Sequence, residues 1–343
     1  MIIQKSESFT RMRQDKIQSK IFRTPVQIPE YPFEINYNTN VLTIGSCFAQ
    51  DMALRMQGRK LKVLSNPMGI QYNPRSIVRS LNRLLDGELY RPSELYFDGT
   101  LWHSWDHHGS FSGTDKDRVL SGINRSYEEA TRFINEMDVL ILTFGTSLYY
   151  VLKKTGQVVS NCHKAPAQMF EHRPIDLEEM RSTFERLFNR LKEFRPGLKV
   201  ILTISPVRHL RDGLIENNYS KSLLNVLVHQ MEAGREDVVY FPSYEILLDE
   251  LRDYRFYAED MTHPSKMAVD YIWELFKVSF MKEDTLSILR QAESILKALN
   301  HRPLHSESAR HQAFLKALKV KMKAFESLVD RGVQWDDLSK DFF

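Results

Sequence analysis

The sequence predicts an α/β fold, a three-layer α/β/α sandwich built on a parallel sheet, with a helical extension at the C-terminal end. Three observations carry this. Short apolar runs rich in β-branched residues and Leu recur through the first 245 residues, and most stop at Gly or Pro, as strands buried on both faces do. Segments with helical spacing of apolar residues lie between them. Beyond residue 280 the strand pattern ends and only helical periodicity remains.

The elements follow in order. Residues 41–44 read as a strand ending at Gly45, and 63–64 lead into Ser65-Asn66-Pro67. Residues 74–85 then place Ile77, Val78, Leu81 and Leu84 on one helix face. Residues 139–144 end at Gly145, 200–204 end at Ser205-Pro206, and 238–241 end at Pro242. Between these, 178–194 repeat Met180, Phe184, Leu187 and Leu191, and 220–231 carry Leu223, Leu224, Leu227 and Val228. Glu216-Asn217-Asn218-Tyr219-Ser220 reads as the capped start of that last helix. A further apolar-periodic run spans 268–280.

Two regions depart from the alternation. Residues 87–137 cluster Tyr, Trp, His and Gly and read as an insertion. Residues 281–343 read as an extension of amphipathic helices, with Leu286, Leu289, Ala292, Leu296 and Leu299, then Phe314, Leu318, Met322 and Phe325. The expected division is therefore 1–280 and 281–343, with the C-terminal helices a candidate surface for self-association. Lys316, Lys319, Lys321 and Lys323 on the last helix read as a solvated face.

Composition excludes several classes. Of 343 residues, 42% are apolar and 27% charged, which is ordinary for a globular protein and rules out a disordered or collagen-like chain. Lys and Arg total 47 against 44 Asp and Glu, and the charges are mixed along the chain, so no nucleic-acid partner is expected. Two cysteines, Cys47 and Cys162, are too few for a disulfide scaffold or a closed structural zinc site. Residues 1–19 lack the apolar core of a secretory signal, and no stretch approaches the ~18 apolar residues of a membrane span. The expectation is a cytoplasmic protein with no membrane partner.

In open parallel sheets ligands bind beyond the carboxyl ends of the strands, so the segments that follow the strand runs are where chemistry belongs. They read Gly45-Ser46-Cys47-Phe48-Ala49, Asn66-Pro67-Met68-Gly69, Gly145-Thr146-Ser147 and Ser205-Pro206-Val207-Arg208-His209. At the first, Gly permits a sharp turn, and the unpaired amides of a helix start favour negative charge on a thiolate or oxyanion. Ser46 or Cys47 is thus a candidate nucleophile; the alternative is a Ser N-cap beside a small buried Cys. Further on, Asp260 precedes His263 by three residues, close enough to accept Nδ1–H and leave Nε2 for a proton transfer. The competing assignment has Asp260 or Thr262 capping the helix that follows.

The run Gly45-Ser46-Cys47-Phe48-Ala49 resembles the motif after which the GSCFA family is called. Asn66-Pro67-Met68-Gly69-Ile70-Gln71-Tyr72-Asn73-Pro74, Thr143 to Ser147, Asn161-Cys162-His163-Lys164, Ser205 to His209, and Asp253 to Tyr257 with Asp260 to Ser265 resemble its later blocks, in order. The resemblance implies an SGNH/GDSL-like hydrolase fold with flavodoxin-like strand order. It also implies an N-terminal nucleophile, oxyanion donors after the second and third strands, and a C-terminal Asp-x-x-His. Aligned on Gly45, the nucleophile position is Cys47; a shift of one residue gives Ser46. Gly69 matches the backbone oxyanion donor, and Asn73 belongs to the same block. At Gly145-Thr146-Ser147 the family pattern of Gly-x-Asn is broken, so Ser147, Asn161 or His163 would take the place of the Asn amide.

The implied chemistry is hydrolysis or transfer of a small acyl group, acetyl included, on a carbohydrate or similar hydroxyl. Cys47 or Ser46 would attack, His263 would serve as base and then acid, and Asp260 would orient it. His107 and His108, in Trp102-His103-Ser104-Trp105-Asp106-His107-His108, are candidates for the pocket wall, and Arg208 and His209 for contacts to substrate or nucleophile. No cofactor is expected; an acyl-coenzyme A donor would lack a phosphate-cradling Gly-rich motif. His107, His108 and His163 show no regular ligand spacing, so no metal is expected either. From a different class comes a non-catalytic glycan- or ligand-binding protein on a degenerate fold of this type.

Overall fold

The computed structural model describes residues 23–301, 307–329 and 335; the 1–19 segment considered above lies outside them. Its centre is a five-stranded, all-parallel sheet of β1 (Asn40–Gly45), β2 (Lys62–Ser65), β5 (Val139–Phe144), β9 (Lys199–Ile204) and β10 (Val238–Phe241). The spatial order is β10-β9-β5-β1-β2. Numbering these strands alone along the chain gives 2-1-3-4-5, the flavodoxin-like order, whose reversal point lies between β1 and β5.

Successive residues of each strand feed opposite cores because side chains alternate along a strand. Leu42, Ile44, Leu140, Leu142, Phe144 and Leu202 face one layer, made by helices α2 (Pro74–Asp86), α3 (Lys116–Ile134), α4 (Leu177–Phe194) and α5 (Leu214–Glu232). Val41, Val139, Ile141, Ile201 and Phe241 face the other, made by α1 (Cys47–Gly58), α6 (Lys266–Phe280), α7 (Glu283–Leu299) and α8 (Ala309–Leu328). The predicted three-layer sandwich is present. Leu289, Ala292, Ile295, Leu318 and Phe325 of the two C-terminal helices are buried in the same cluster as the sheet residues.

Two stretches differ from the sequence reading. Within 87–137 the chain forms a small antiparallel pair, β3 (Leu95–Phe97) and β4 (Trp102–Ser104), and then helix α3, whose Val119, Ile123, Tyr127, Ala130 and Ile134 are core. Charged residues dilute that stripe, which hid it. Residues 148–174 fold as a three-stranded antiparallel sheet, β6 (Leu148–Leu152), β7 (Gln157–Val159) and β8 (Phe170–Pro174), in the order β7-β6-β8. These strands are short and amphipathic, so they carry no apolar run. Helix α5 also begins earlier than expected, at Leu214 after Gly213, which leaves Asn217 and Ser220 inside the helix rather than at its cap. Among the described residues no helix is long and apolar enough to cross a membrane.

Candidate active site

The β1–β5 reversal point brings Gly45 and Gly145 to one end of the sheet, with Gly45 in register with Thr143. The turn out of β1 is tight. Gly45 N–H donates to Asn66 Oδ1 (2.8 Å), and its carbonyl accepts from Gln71 N–H (2.9 Å). A Cβ on Gly45 would stand 2.3 Å from the Thr143 carbonyl oxygen, so only glycine lets the two strand ends approach this closely.

Ser46 occupies the N-cap position of α1, but its side chain makes no capping bond. It is 0% exposed and its Oγ has no partner. The next residue, Cys47, opens the helix and is half-buried. Burial pushes the Cys47 thiol up, and the Asp51 carboxylate one turn along α1 pushes the same way. Hydrogen bonds from the Phe48 and Cys47 amides and the charge of Lys221 pull against this without reversing it. The group is therefore a thiol near neutrality, and a base must take its proton before it can attack.

An Asp–His pair, a candidate base with its orienting carboxylate, lies on the loop before α6. His263 Nδ1–H donates to Asp260 Oδ2 at 2.6 Å, while Asp260 Oδ1 accepts the backbone N–H of both Thr262 and His263 at 2.9 Å. These bonds, the His263 backbone one foremost, hold the Asp260 carboxyl down at about 2. Asp260 does not cap α6; Ser265 does, accepting from Ala268 N–H. His263 stands 48% exposed in its side chain, and its charge acts on both Asp51 and His209. Pro264, next on the loop, and Asp51 of α1 border one groove, so the loop lies beside α1.

Sequence reasoning missed Tyr72 and Lys221. Lys221 is 1% exposed, and its Nζ donates to the carbonyls of Gly145 and Ser205, each at 2.6 Å, at the ends of β5 and β9. Burial without a carboxylate partner drops it to about 7, against the opposing effect of Cys47. Its signal was available: Lys221 occupies the same stripe as Leu224 and Val228, where a solvated lysine does not belong. Tyr72 accepts through its carbonyl from Gly145 N–H (2.7 Å) and Thr146 N–H (3.0 Å). Its hydroxyl is raised by burial and by Cys47.

A cavity of about 560 Å³ opens beside Tyr72, with Asn73, Thr146, Asn161, His163 and His209 also in its wall; Cys47, Lys221 and His263 do not line it. Asn73 also caps α2, accepting from Ser76 N–H (2.9 Å). Asn161 Oδ1 accepts from His163 N–H (2.8 Å), and the His163 ring donates from Nε2 to the Ser104 carbonyl (2.8 Å). His163 and Lys164 both adopt left-handed backbone, at φ 48° and 58°, an uncommon pair for side-chain-bearing residues. A larger groove of about 970 Å³ runs between α1, α6 and α7 and meets the residues above at Asp51.

Several expected site residues face elsewhere. Gly69 N–H is spent within its own turn on the Asn66 carbonyl (2.7 Å), and the glycine is required because His108 Cβ would lie 2.3 Å from any Cβ there. Ser147 is fully buried, with its N–H (2.7 Å) and Oγ (3.1 Å) both on Ser220 Oγ. His107 is turned into the core against Tyr90 and Phe111, hydrogen-bonded to Ser104 Oγ (2.8 Å), and burial lowers it to about 4. His108 caps a short 3₁₀ turn, with its ring accepting from Ser110 N–H. Neither lines the cavity. The Arg208 guanidinium stacks on Tyr257 (3.9 Å), and the Arg208 backbone N–H donates to the Thr262 carbonyl (3.0 Å), so Arg208 braces the His263 loop. Among the described residues no three His, Cys, Asp or Glu side chains converge on a metal position.

A parallel sheet in this order, flanked by helices on both faces, defines an α/β protein of flavodoxin-like strand order. The model of the GSCFA family matches residues 40–276, more than half of the chain, and the chain belongs to that family. The model described as "GSCFA domain protein, C-terminal domain" matches residues 292–331. Among solved structures, a carbohydrate esterase family 3 from Talaromyces cellulolyticus is similar at 7% identity, 74% of this chain, 98% of that chain and a TM-score of 0.35. A Clostridium thermocellum family 3 carbohydrate esterase is similar at 12% identity, 74% and 97% coverage and a TM-score of 0.33. The search of curated proteins gives no match.

Proposed function

We propose that the chain is an acyl-ester hydrolase or acyltransferase that removes or moves a small acyl group, acetyl included, on a carbohydrate or similar hydroxyl. The observation that carries this is the 2.6 Å Asp260–His263 hydrogen bond on a loop whose charge reaches Asp51, one helical turn from Cys47. The complete burial of Ser46 supports Cys47 as the nucleophile. We read residues 1–280 as the unit that carries this chemistry and 281–343 as a helical extension, whose described helices α7 and α8 pack in the core on one face of the sheet.

Cys47 Sγ attacks the acyl carbonyl carbon as its proton passes to His263 Nε2, and the carbonyl π pair moves onto oxygen. Collapse of the tetrahedral species expels the alkoxide, which takes the proton from His263 and leaves an acyl thioester on Cys47. Water, or an acceptor hydroxyl, then gives its proton to His263 and attacks the thioester, restoring the thiol. Asp260 fixes the His263 tautomer and favours the imidazolium between these steps. Hydroxyl, amide and imidazole groups in the 560 Å³ cavity suit a polar substrate.

One observation favours the alternative of a binding protein without turnover: Gly69 N–H and Ser147, the expected oxyanion donors, are both engaged internally. Hydrolysis of p-nitrophenyl acetate by wild type, Cys47→Ala, Ser46→Ala and His263→Ala separates the readings. Loss in Cys47→Ala and His263→Ala with retention in Ser46→Ala supports the proposal. Equal background rates in all four favour the binding protein.

A further inference from the structure

We infer that His209 is a further catalytic residue, whose Nε2–H donates to the substrate carbonyl oxygen and to the oxyanion formed when Cys47 attacks. The inference rests on the acyl chemistry proposed above.

Such an intermediate needs donors fixed in advance, and the amides at this end of β5 are spent. Gly145 N–H and Thr146 N–H both go to the Tyr72 carbonyl, and Ser147 N–H goes to Ser220 Oγ. The Gly69 amide is likewise committed to Asn66. His209 is not committed in this way at Nε2. It lies in the cavity wall, its ring meets Tyr72 edge-on at 5.4 Å, and its Nε2 is buried with no hydrogen-bond partner. A buried polar atom without a partner is costly, and a substrate carbonyl beside His209 Nε2 would relieve that cost.

The surroundings fix that atom in place. A Cβ on Gly145 would be 3.0 Å from Nε2, so the bare glycine leaves room for the ring in this position. His209 N–H is tied to Asn217 Oδ1 at 2.9 Å, from within the first turn of α5. The preceding residue ties to Thr262 of the catalytic loop at 3.0 Å. Burial first, then the charges of Lys221 and His263, lower the ring to about 3. His209 is thus a neutral imidazole that donates without taking the proton that His263 must carry. A neutral imidazole has the right chemistry to polarise a carbonyl. It keeps its proton throughout, and no bond to it forms or breaks.

The test uses the full chain as wild type, Cys47→Ala, His209→Ala and His209→Gln, with p-nitrophenyl acetate as substrate. It adds trifluoroacetone, read by fluorine NMR, as a probe that forms a tetrahedral adduct on Cys47. The expected result in His209→Ala is a loss of about 10²–10³ in kcat with little change in KM, the size seen when one oxyanion donor is removed. Weaker trifluoroacetone adduct formation should accompany it. His209→Gln, which places an amide N–H near the same point, should recover at least about tenfold of that loss. Unchanged kcat in His209→Ala, or a Gln variant no better than the Ala variant, overturns the inference while the acyl reading stands. Wild type matching Cys47→Ala with both probes overturns that reading and this inference with it.

Discussion

Asp260 grips His263 twice, through Nδ1 at 2.6 Å and through the backbone N–H at 2.9 Å. One carboxylate therefore sets both the rotation of the ring and the shape of the loop that carries it. Asp260→Asn keeps an oxygen for the backbone bonds but presents an amide or the wrong oxygen to the ring. We expect kcat on p-nitrophenyl acetate to fall by about 10²–10⁴, the upper end being that of a buried triad Asp and the lower reflecting the exposure of this one. Thermal stability near neutrality should barely change. A variant with wild-type kcat would remove Asp260 from the mechanism.

Ser46 and Cys47 should respond to alanine in opposite ways. Ser46 Oγ is buried with no partner, so Ser46→Ala removes an unsatisfied polar group and should leave stability equal or raised by up to about 1 kcal/mol. Urea titration measures this. Cys47→Ala should leave stability near wild type and abolish turnover.

The Cys47 thiol should titrate above the ordinary thiol range, because burial and the Asp51 carboxylate both disfavour the thiolate. Alkylation by iodoacetamide followed across pH reports the midpoint, with Cys47→Ala subtracting the contribution of Cys162. Asp51→Asn removes a negative charge beside the thiolate, so the midpoint should move down. A midpoint that moves up, or stays in place, contradicts this electrostatic account.

Lys221 makes stability pH-dependent in a defined window. Its folded value, about 7, lies below its ordinary 10.5, so between them the unfolded chain binds the extra proton. Stability should therefore rise as pH increases from 7 towards 10.5, and the burial cost is fully felt below that window. Lys221→Met should be less stable overall, with two carbonyls left without donors, and flatter across that range. Urea midpoints of the two proteins at several pH values give the difference. Equal slopes would mean that Lys221 holds its ordinary proton affinity.

Gly45→Ala should be severe. The new Cβ meets backbone, the Thr143 carbonyl at 2.3 Å, and neither strand end can yield without breaking the β1–β5 register. A loss at or above the ~1–3 kcal/mol typical of overpacking is expected, read by thermal melting. Gly87→Ala, where a Cβ would meet nothing within 4 Å but φ is 69°, is the control for backbone strain alone.

The sheet was legible because parallel strands are covered on both faces and so read as unbroken apolar runs, as at Val139 to Phe144. The loops at their ends were legible for the same reason, since the strand stops mark where ligands bind. The fate of individual donors was not. Gly69 N–H and Ser147 were expected at the site, and only the closing of a turn on Asn66 and the approach of Ser220 from α5 decide otherwise. Lys221 was hidden by its type: a lysine is read as solvated until its stripe, shared with Leu224 and Val228, is weighed against its charge. The strands of residues 148–174 were missed because hairpins this short are set by pairing across the chain, which leaves little local pattern.

The two carbonyls gripped by Lys221 belong to neighbouring strands, so one ammonium acts as a rivet across the end of the sheet. The ends of β5 and β9 are thereby held at a fixed spacing. On the acyl chemistry proposed above, selection for chain length would fall to Leu148 and Tyr150 of β6, which border the cavity. A change in chain-length preference would be engineered at those two side chains, with the strand ends left as they are.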